Sequence, residues 1–388
     1  MTDRLLRSAV VGAGFVGPHH VDAVRRGGYA AVVALAGSDQ ARTEARARQL
    51  GVAVGTADLG ALLADASIDV IHVCTPNATH MEIASRALEA GKHVVVEKPV
   101  APTAGEAREL AHLAAERGRH AAVAFTYRGY PMIRRARELV TRGEIGEIRL
   151  VLGSYLQDWL LEAADYNWRL ESSLGGASRA VADIGSHWFD TTEFVTGRRI
   201  ESVLADLSTF IPLRQRPKGG ATTFQAGGAD TETVHIDTED AAGMLVRFDG
   251  GARGVCLVSQ VSPGRKNDFR LELSGSRRSL AWAQEEPNTL WLGARSDRSA
   301  VIPREPWEGA EAELGTPSLP PGHPEGWSEA LRDLFRPFYR AIAEGEAPPS
   351  PGESAVYPTL DDGTRAVAFV EAVLQSAREG RWTPVEQH

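Results

Sequence analysis

Apolar residues in the first third of the chain come in short runs: SAVVGAG, AAVVALAG, DVIHVCTP, HVVVE and HAAVAF, all between Leu5 and Phe125. The stretches between them are rich in Ala, Arg, Glu and Leu and carry the amphipathic spacing of helices. Short apolar runs alternating with helical segments predict a doubly wound parallel sheet, an α/β architecture. After Phe125 the pattern changes. A helix is expected over 131–142, then the strand-like EIRLVLGSYLQDW, then a helix through Asp183 and His187. The runs ESVLADLSTF, AAGMLVRFDG, GARGVCLVSQV, DFRLELSG, RSLAWAQE and NTLWLG follow one another with no helix between them. Such succession predicts an open, mostly antiparallel sheet and an α+β second domain. The expected division is therefore 1–125 and 126–388, with helices over 326–344 and 360–378 closing the chain. One face of the second sheet would meet the first domain, and the other is a candidate for self-association. Residues 214–234, rich in Gly, Thr and Ala, are expected to form a mobile loop, and 303–324 a Pro/Gly-rich connector.

Composition narrows the possible partners. A chain of 388 residues suits two domains with separate cores. A net charge of −9 without a clustered basic face argues against nucleic acid and anionic membranes. The two cysteines, Cys74 and Cys256, lie inside apolar runs, and no Cys/His cluster has zinc-ligand spacing, so a reducing compartment and no metal are expected. The first apolar run is too short and glycine-broken for a signal peptide, and no run of about 18 apolar residues occurs, which points to the cytoplasm.

Candidate chemistry begins where the first apolar run enters GAGFVG, with Gly12, Gly14, Phe15, Val16 and Gly17. A glycine-rich turn between a strand and a helix is the context of the dinucleotide fingerprint: the backbone can approach a pyrophosphate seated at the helix N-terminus. At the end of the second run an acidic residue would select NAD by accepting from the adenosine ribose. Gly37 and Ser38 stand there, Asp39 follows, and Arg42 lies one turn on, a slight lean to NADP. Thr75, Pro76, Asn77 and His80 follow a third run, where open α/β sheets bind ligands, with Asn77 also a candidate N-cap. Glu97, Lys98 and Pro99 end HVVVE. A lysine there can stabilise an alkoxide, and Pro99 is suited to a cis peptide. In the stretch 175–190, Asp183, His187 and Asp190 fall at spacings of four and three residues, one face of a helix and a plausible proton-handling group.

GAGFVG with His20, TPNATH, EKP, FTYR and GGASRAVADIGSHWFD, in this order, resemble the Gfo/Idh/MocA family of NAD(P)-dependent oxidoreductases. The resemblance covers nearly the whole chain. It implies a Rossmann domain, a second domain with an open antiparallel sheet, and hydride transfer on sugars, cyclitols or related alcohols. It places the catalytic lysine, aspartate and histidine on Lys98, Asp183 and His187, with His187 as general base and Lys98 beside the same oxygen. Asp183 would fix the substrate hydroxyl or share in the proton relay, and Asp190, one turn beyond His187, would orient the imidazole or else serve a surface or capping role. Thr126 stands where the family commonly has Asn, ahead of Tyr127 and Arg128. SYLQDW and NWR are similar to members that oxidise levoglucosan or the 3-hydroxyl of glycosides, placing polyol contacts on Tyr155, Gln157, Asp158, Trp168 and Arg169 as well as Tyr127 and Arg128. A non-catalytic dinucleotide sensor or repressor, and a reductase of an imine or ketosugar, are the alternatives, and a homodimer or homotetramer is expected through the open sheet.

Overall fold

The structure is a computed structural model that describes residues 4–218, 230–305 and 318–387. Strands β1 (Leu6–Val11), β2 (Ala30–Ala36), β3 (Val54–Thr56), β4 (Val70–Val73), β5 (His93–Val96) and β6 (Ala121–Val123) form one sheet in the order β3-β2-β1-β4-β5-β6. Every ladder in it is parallel. Helices α1 (Val16–Gly27), α2 (Gln40–Leu50), α3 (Leu59–Ala64), α4 (His80–Glu89) and α5 (Ala104–Glu116) provide the crossovers. Because helices cover both faces, Val70, Ile71, Val73 and Val94 to Val96 are fully buried, which is why these strands read as unbroken apolar runs. β3 has only Val, Gly and Thr and left no such run; its pairing along β2 makes it a strand. The strand order reverses between β1 and β4, and their carboxyl ends open the crevice where such folds hold ligands.

The second sheet contains β7 (Ile148–Leu156), β8 (Ile200–Ser208), β11 (Ala241–Phe248), β12 (Arg253–Ser259), β13 (Asp268–Gly275), β14 (Arg278–Ala283), β15 (Thr289–Ala294), β16 (Ala300–Pro303) and β17 (Thr383–Pro384). Its order is β16-β15-β14-β13-β7-β12-β11-β8-β17. All neighbours are antiparallel except β7 and β12, which run parallel. Helices α6 (Pro131–Thr141), α8 (Ser186–Thr196) and α10 (Leu360–Glu379) cover one face. Gly153 on β7 lets α8 approach: a Cβ there would stand 1.9 Å from Trp188 Nε1. The remaining long helix, α9 (Trp327–Glu344), returns to the first sheet. Its Leu331, Leu334, Phe335 and Phe338 share a core with Val10, Val24 and Val95, the i, i+3, i+4, i+7 pattern of a buried helix face.

Residues 214–234 are not a loop at both ends. β9 (Leu213–Pro217) and β10 (Thr231–His235) pair as an antiparallel hairpin, while 219–229 lie outside the described residues. Arg214 is fully buried and donates to the carbonyls of Leu160, Glu162 and Asp165 and to Asp240. The low-apolar composition hid this hairpin because a buried guanidinium, not an apolar run, anchors it. The connector is likewise fixed at its described ends: Arg304 donates to Asn288, Leu319 O and His323 O. Among the described residues no helix is long and apolar enough to cross a membrane.

Candidate active site

The glycine turn after β1 is shaped by close contact on two sides and openness on the third. Gly12 has φ +113°, and a Cβ there would lie 2.3 Å from the Cys74 carbonyl oxygen, while one on Gly17 would lie 2.0 Å from Gly12 O. Beside Gly14 nothing lies within 4 Å. Phe15 precedes α1 and Val16 begins it, with no side-chain cap and no acidic residue in the first turn. Bare, uncapped N–H groups facing open space fit a dinucleotide pyrophosphate. At the end of β2, Gly37 abuts Thr43, Ser38 is exposed, and Asp39 caps α2 by accepting from the Arg42 N–H. The Arg42 side chain itself is 83% exposed and 3.6 Å from Asp39.

Two residues of the TPNATH stretch do other work. Asn77 is not an N-cap: Pro76 takes the cap position of the 3₁₀ turn Asn77–Thr79, and Asn77 Nδ2 donates to Gly175 O at 2.9 Å, tying the two sheets' loops together. Thr75 Oγ1 accepts from Thr79. His80 is buried, with Nδ1 2.7 Å from Pro99 O and Nε2 2.8 Å from Thr75 O. Both ring nitrogens face protein carbonyls, so His80 braces the walls of the crevice.

Lys98 follows Glu97 at the end of β5 through a cis Lys98–Pro99 peptide. Its Nζ donates to Asp183 Oδ1 at 2.8 Å and to Asp183 O at 2.7 Å. Asp183 also accepts from Arg169 Nε at 3.3 Å and Gln260 Nε2 at 2.9 Å. Burial pushes the Asp183 carboxyl up, but Lys98 and Arg169 outweigh it and hold the group far below the usual carboxylate range. His187 Nδ1 is buried without a hydrogen-bond partner, which leaves Nε2 as the nitrogen open to the crevice. Burial, reinforced by the Lys98 charge, lowers the imidazole to a pKa of about 3, so it is neutral near pH 7.

Asp183 lies in a π-helical turn, Val181–Gly185, that runs directly into α8. Such wide turns are frequent at functional sites. The three-residue face read from the spacing is broken here. Asp183 and His187 meet Lys98's surroundings, whereas Asp190 turns into the interior and accepts from Arg128 Nε at 2.9 Å. Asp190 therefore does not orient His187. Arg128, expected at the substrate, is spent on Asp190 and on Asp362, 3.1 Å away, and is buried.

The polyol residues divide in the same way. Tyr127 OH donates to Tyr155 OH at 2.6 Å, Tyr155 donates to Asn267 Oδ1 at 2.6 Å, and Gln157 Nε2 donates to the same oxygen at 2.9 Å. The Tyr127 ring stands 5.0 Å from that of His187, so the two tyrosines form the aromatic wall behind the imidazole. Arg169 sits over the Trp168 ring at 4.5 Å with its Nε toward Asp183. Asp158, by contrast, is held by Lys266 at 2.7 Å and the Gly264 N–H at 3.0 Å, pinning the turn over 264–266. Gln260, Asn267 and Trp159, which donates to Gln157 Oε1, were missed. The signal for Gln260 was a polar residue directly after the apolar run of β12. Because β12 runs parallel to β7, Gln260 and Gln157 emerge at the same end.

A parallel sheet with a bare glycine turn at its switch point, facing a lysine–aspartate pair and a neutral histidine, defines a dinucleotide-dependent oxidoreductase. Two family models match: the Gfo/Idh/MocA oxidoreductase family with an NAD-binding Rossmann fold over 6–125, and the Gfo/Idh/MocA C-terminal domain over 133–281. The chain belongs to this family and is a dehydrogenase. It is 31% identical to levoglucosan dehydrogenase of Pseudarthrobacter phenanthrenivorans over 88% of this chain and 86% of that one. It is 26% identical to inositol 2-dehydrogenase of Rhizobium meliloti over 97% and 98%. A solved levoglucosan dehydrogenase in complex with NADH and levoglucosan superposes with a TM-score of 0.87 at 28% identity, covering 99% of this chain and 100% of that one.

Proposed function

We propose that the protein oxidises a secondary alcohol of a sugar, anhydrosugar, glycoside or cyclitol, and reduces the matching carbonyl in reverse, with Lys98, Asp183 and His187 as its catalytic residues. The supporting observation is the meeting of a lysine held by an aspartate with a neutral imidazole at the end of β5. A bound nicotinamide supplies the hydride acceptor for oxidation. Two of the three Lys98 N–H groups go to Asp183, and the third stabilises negative charge on the substrate oxygen. His187 takes the hydroxyl proton at Nε2, which requires its own hydrogen on Nδ1. Asp183, with three donors on its carboxylate, holds Lys98 in place and does not take the proton. Arg169, Gln157 and Gln260, with Trp168 as an apolar platform, suit neighbouring hydroxyls. The test is His187→Gln assayed against monosaccharides, anhydrosugars, glycosides and inositols. A loss of roughly 10²-fold or more in kcat is expected with dinucleotide binding retained. Unchanged turnover would reject the base assignment.

For the cofactor, Ser38 in place of an acidic residue and the exposed Arg42 support acceptance of the 2′-phosphate, a slight preference for NADP over NAD. Arg42→Ala should raise the KM for NADP and leave that for NAD unchanged. Self-association through the open sheet face is part of the same reading. Leu245, Val255, Leu152, Glu272, Ala281, Trp291 and Val301 are successive ladder partners across seven strands. Of these, Leu245, Val255, Leu152, Trp291 and Val301 are exposed, as is Leu257 two residues along β12 from Val255. An exposed apolar row of this extent, interrupted by Glu272, fits a second copy of the chain. Light scattering of Leu257→Arg should give a monomer if the face is the interface. The unpaired Cys74 and Cys256 suit the cytoplasm.

A further inference from the structure

Behind the Glu97–Lys98 turn runs a line of buried polar groups that the reaction itself does not touch. Glu97 Oε1 lies 3.0 Å from His20 Nε2, His20 Nδ1 lies 2.9 Å from His72 Nδ1, and His72 Nε2 lies 2.6 Å from the Tyr339 hydroxyl. The Tyr339 hydroxyl is 2.7 Å from Ser8 Oγ. Ser8, His20 and His72 are fully buried and Tyr339 is 2% exposed. These residues come from β1, α1, β4 and α9, so a line built from both ends of the chain ends on one carboxylate. The Phe335 ring packs against both imidazoles, at 4.8 Å and 5.0 Å between centroids. Buried polar groups cost stability unless every member is paired, and this core had apolar alternatives.

With both imidazoles in the neutral form, donor counting gives the chain one direction. An ionised Glu97 can only accept, so His20 Nε2 carries the hydrogen and neutral His20 accepts at Nδ1. His72 must then donate from Nδ1 and accept at Nε2 from the Tyr339 hydroxyl, which in turn accepts from Ser8. Burial lowers the His72 pKa well below the ordinary value, consistent with a neutral ring. Every hydrogen points toward Glu97. The far end closes on buried Ser8, and what the line does at its other end is polarise and fix its terminus. At that terminus Glu97 Oε2 accepts from the Lys98 backbone N–H at 3.3 Å.

We propose that His20, His72 and Tyr339 are positioning residues that hold Glu97 ionised and fixed against the backbone of Lys98, and so set the placement of the Lys98 ammonium. The inference rests on Lys98 being catalytic. Burial pushes the Glu97 carboxyl up, and the hydrogen bond from His20 leads the opposing effects, which together bring it below its ordinary value. The other titratable groups facing the line are His80, His187 and Cys74 at the Glu97 end, His19 beside His20, and Asp69 with Cys74 at the Tyr339 end.

Tyr339→Phe keeps the ring against His72 and removes one O–H. In the folded variant kcat should fall roughly fivefold or more, with KM for both substrates within about twofold, as one buried hydrogen bond implies. The acid limb of its kcat–pH profile should move to higher pH, because Glu97 takes a proton more easily, and activity should recover toward alkaline pH. Wild-type kcat with a wild-type profile would overturn the relay. If Tyr339→Phe folds poorly, ¹⁵N imidazole spectra of the wild-type protein decide instead, with the His72 signals assigned by difference against His72→Gln. The hydrogen is expected on His72 Nδ1 and His20 Nε2, and the opposite tautomers overturn the scheme. Lys98→Met separates the two readings. A fully active Lys98→Met removes the catalytic assignment and the relay's purpose with it, whereas an inactive one beside a wild-type Tyr339→Phe removes the relay alone.

Discussion

Lys98 donates twice to Asp183, once to the carboxylate at 2.8 Å and once to the backbone carbonyl at 2.7 Å. A side chain with four rotatable carbons is thereby held from two sides, across the cleft between the two sheets. The third N–H is aimed by the first two. Lys98→Met should lower kcat by about 10²- to 10³-fold, the usual effect of removing one preorganised donor at a developing oxyanion. Asp183→Asn should lower it as well, since the ammonium loses its counter-charge and Arg169 is left beside it. Because both changes act through one contact, the double variant should lose less than the product of the single losses. Steady-state kcat for the four proteins checks this, and strictly multiplicative losses would show that the pair does not act as a unit.

His187 carries a pH signature. Its pKa is lowered to about 3 in the fold, by burial first and the Lys98 charge second. The unfolded chain binds a proton at His187 near pH 6.5, and the folded protein refuses it until about pH 3. Between these limits the unfolded state holds more protons, so stability falls as pH falls, and above pH 6.5 the residue has no such effect. Replacing it with Gln removes that slope. Urea midpoints at pH 7 and pH 4.5 should therefore converge more closely in His187→Gln than in the wild type. An equal drop in both proteins would mean that His187 titrates normally in the folded state.

Arg128 separates stability from turnover. It holds Asp190 and Asp362 in the interior, and Arg365 joins Asp362 to Glu193 in the same buried network. Arg128→Met leaves Asp190 without its partner, which should cost about 3–5 kcal/mol in unfolding free energy. The KM for the polyol should not change in the protein that remains folded, because no donor of Arg128 faces Asp183 or His187. A large rise in KM at unchanged stability would return Arg128 to the substrate site.

Most of the fold was legible because its strands follow the two simplest patterns. Doubly covered strands such as VIHV and HVVV read as apolar runs, and half-covered ones such as β11, with Met244, Val246 and Phe248 buried between exposed neighbours, read as alternation. What stayed hidden has polar anchors or comes from remote elements. Arg214 fixes a hairpin with no apolar run, and β3 exists through pairing alone. At the site, the glycine turn, Lys98, Asp183 and His187 were visible because backbone constraints and helical spacing tie them to local sequence. Gln260 and Asn267 were not, since only the parallel pairing of β7 with β12 and the antiparallel start of β13 bring them beside Gln157. Spacing also misjudged Asp190, whose carboxylate is consumed by Arg128, a partner that no local pattern announces.

Gly153 tests whether the helix that carries His187 depends on its contact with the second sheet. It pairs with Cys256 on one side and Leu271 on the other in the middle of that sheet, a position where glycine normally weakens a strand. The reason for glycine is Trp188, one residue after His187 and fully buried, whose indole occupies the space a Cβ would need. Gly153→Ala must push Trp188 outward or bend β7, and overpacking of this kind costs about 1–3 kcal/mol. Trp188 cannot move without shifting the first turn of α8, which carries His187. The variant should therefore lose kcat as well as unfolding free energy, and Gly153→Ala combined with Trp188→Phe, which removes the clashing part of the indole, should recover part of both. Thermal unfolding and kcat of the single and double variants measure this. A single variant with lowered stability but wild-type kcat would show that turnover does not depend on the contact of α8 with the sheet.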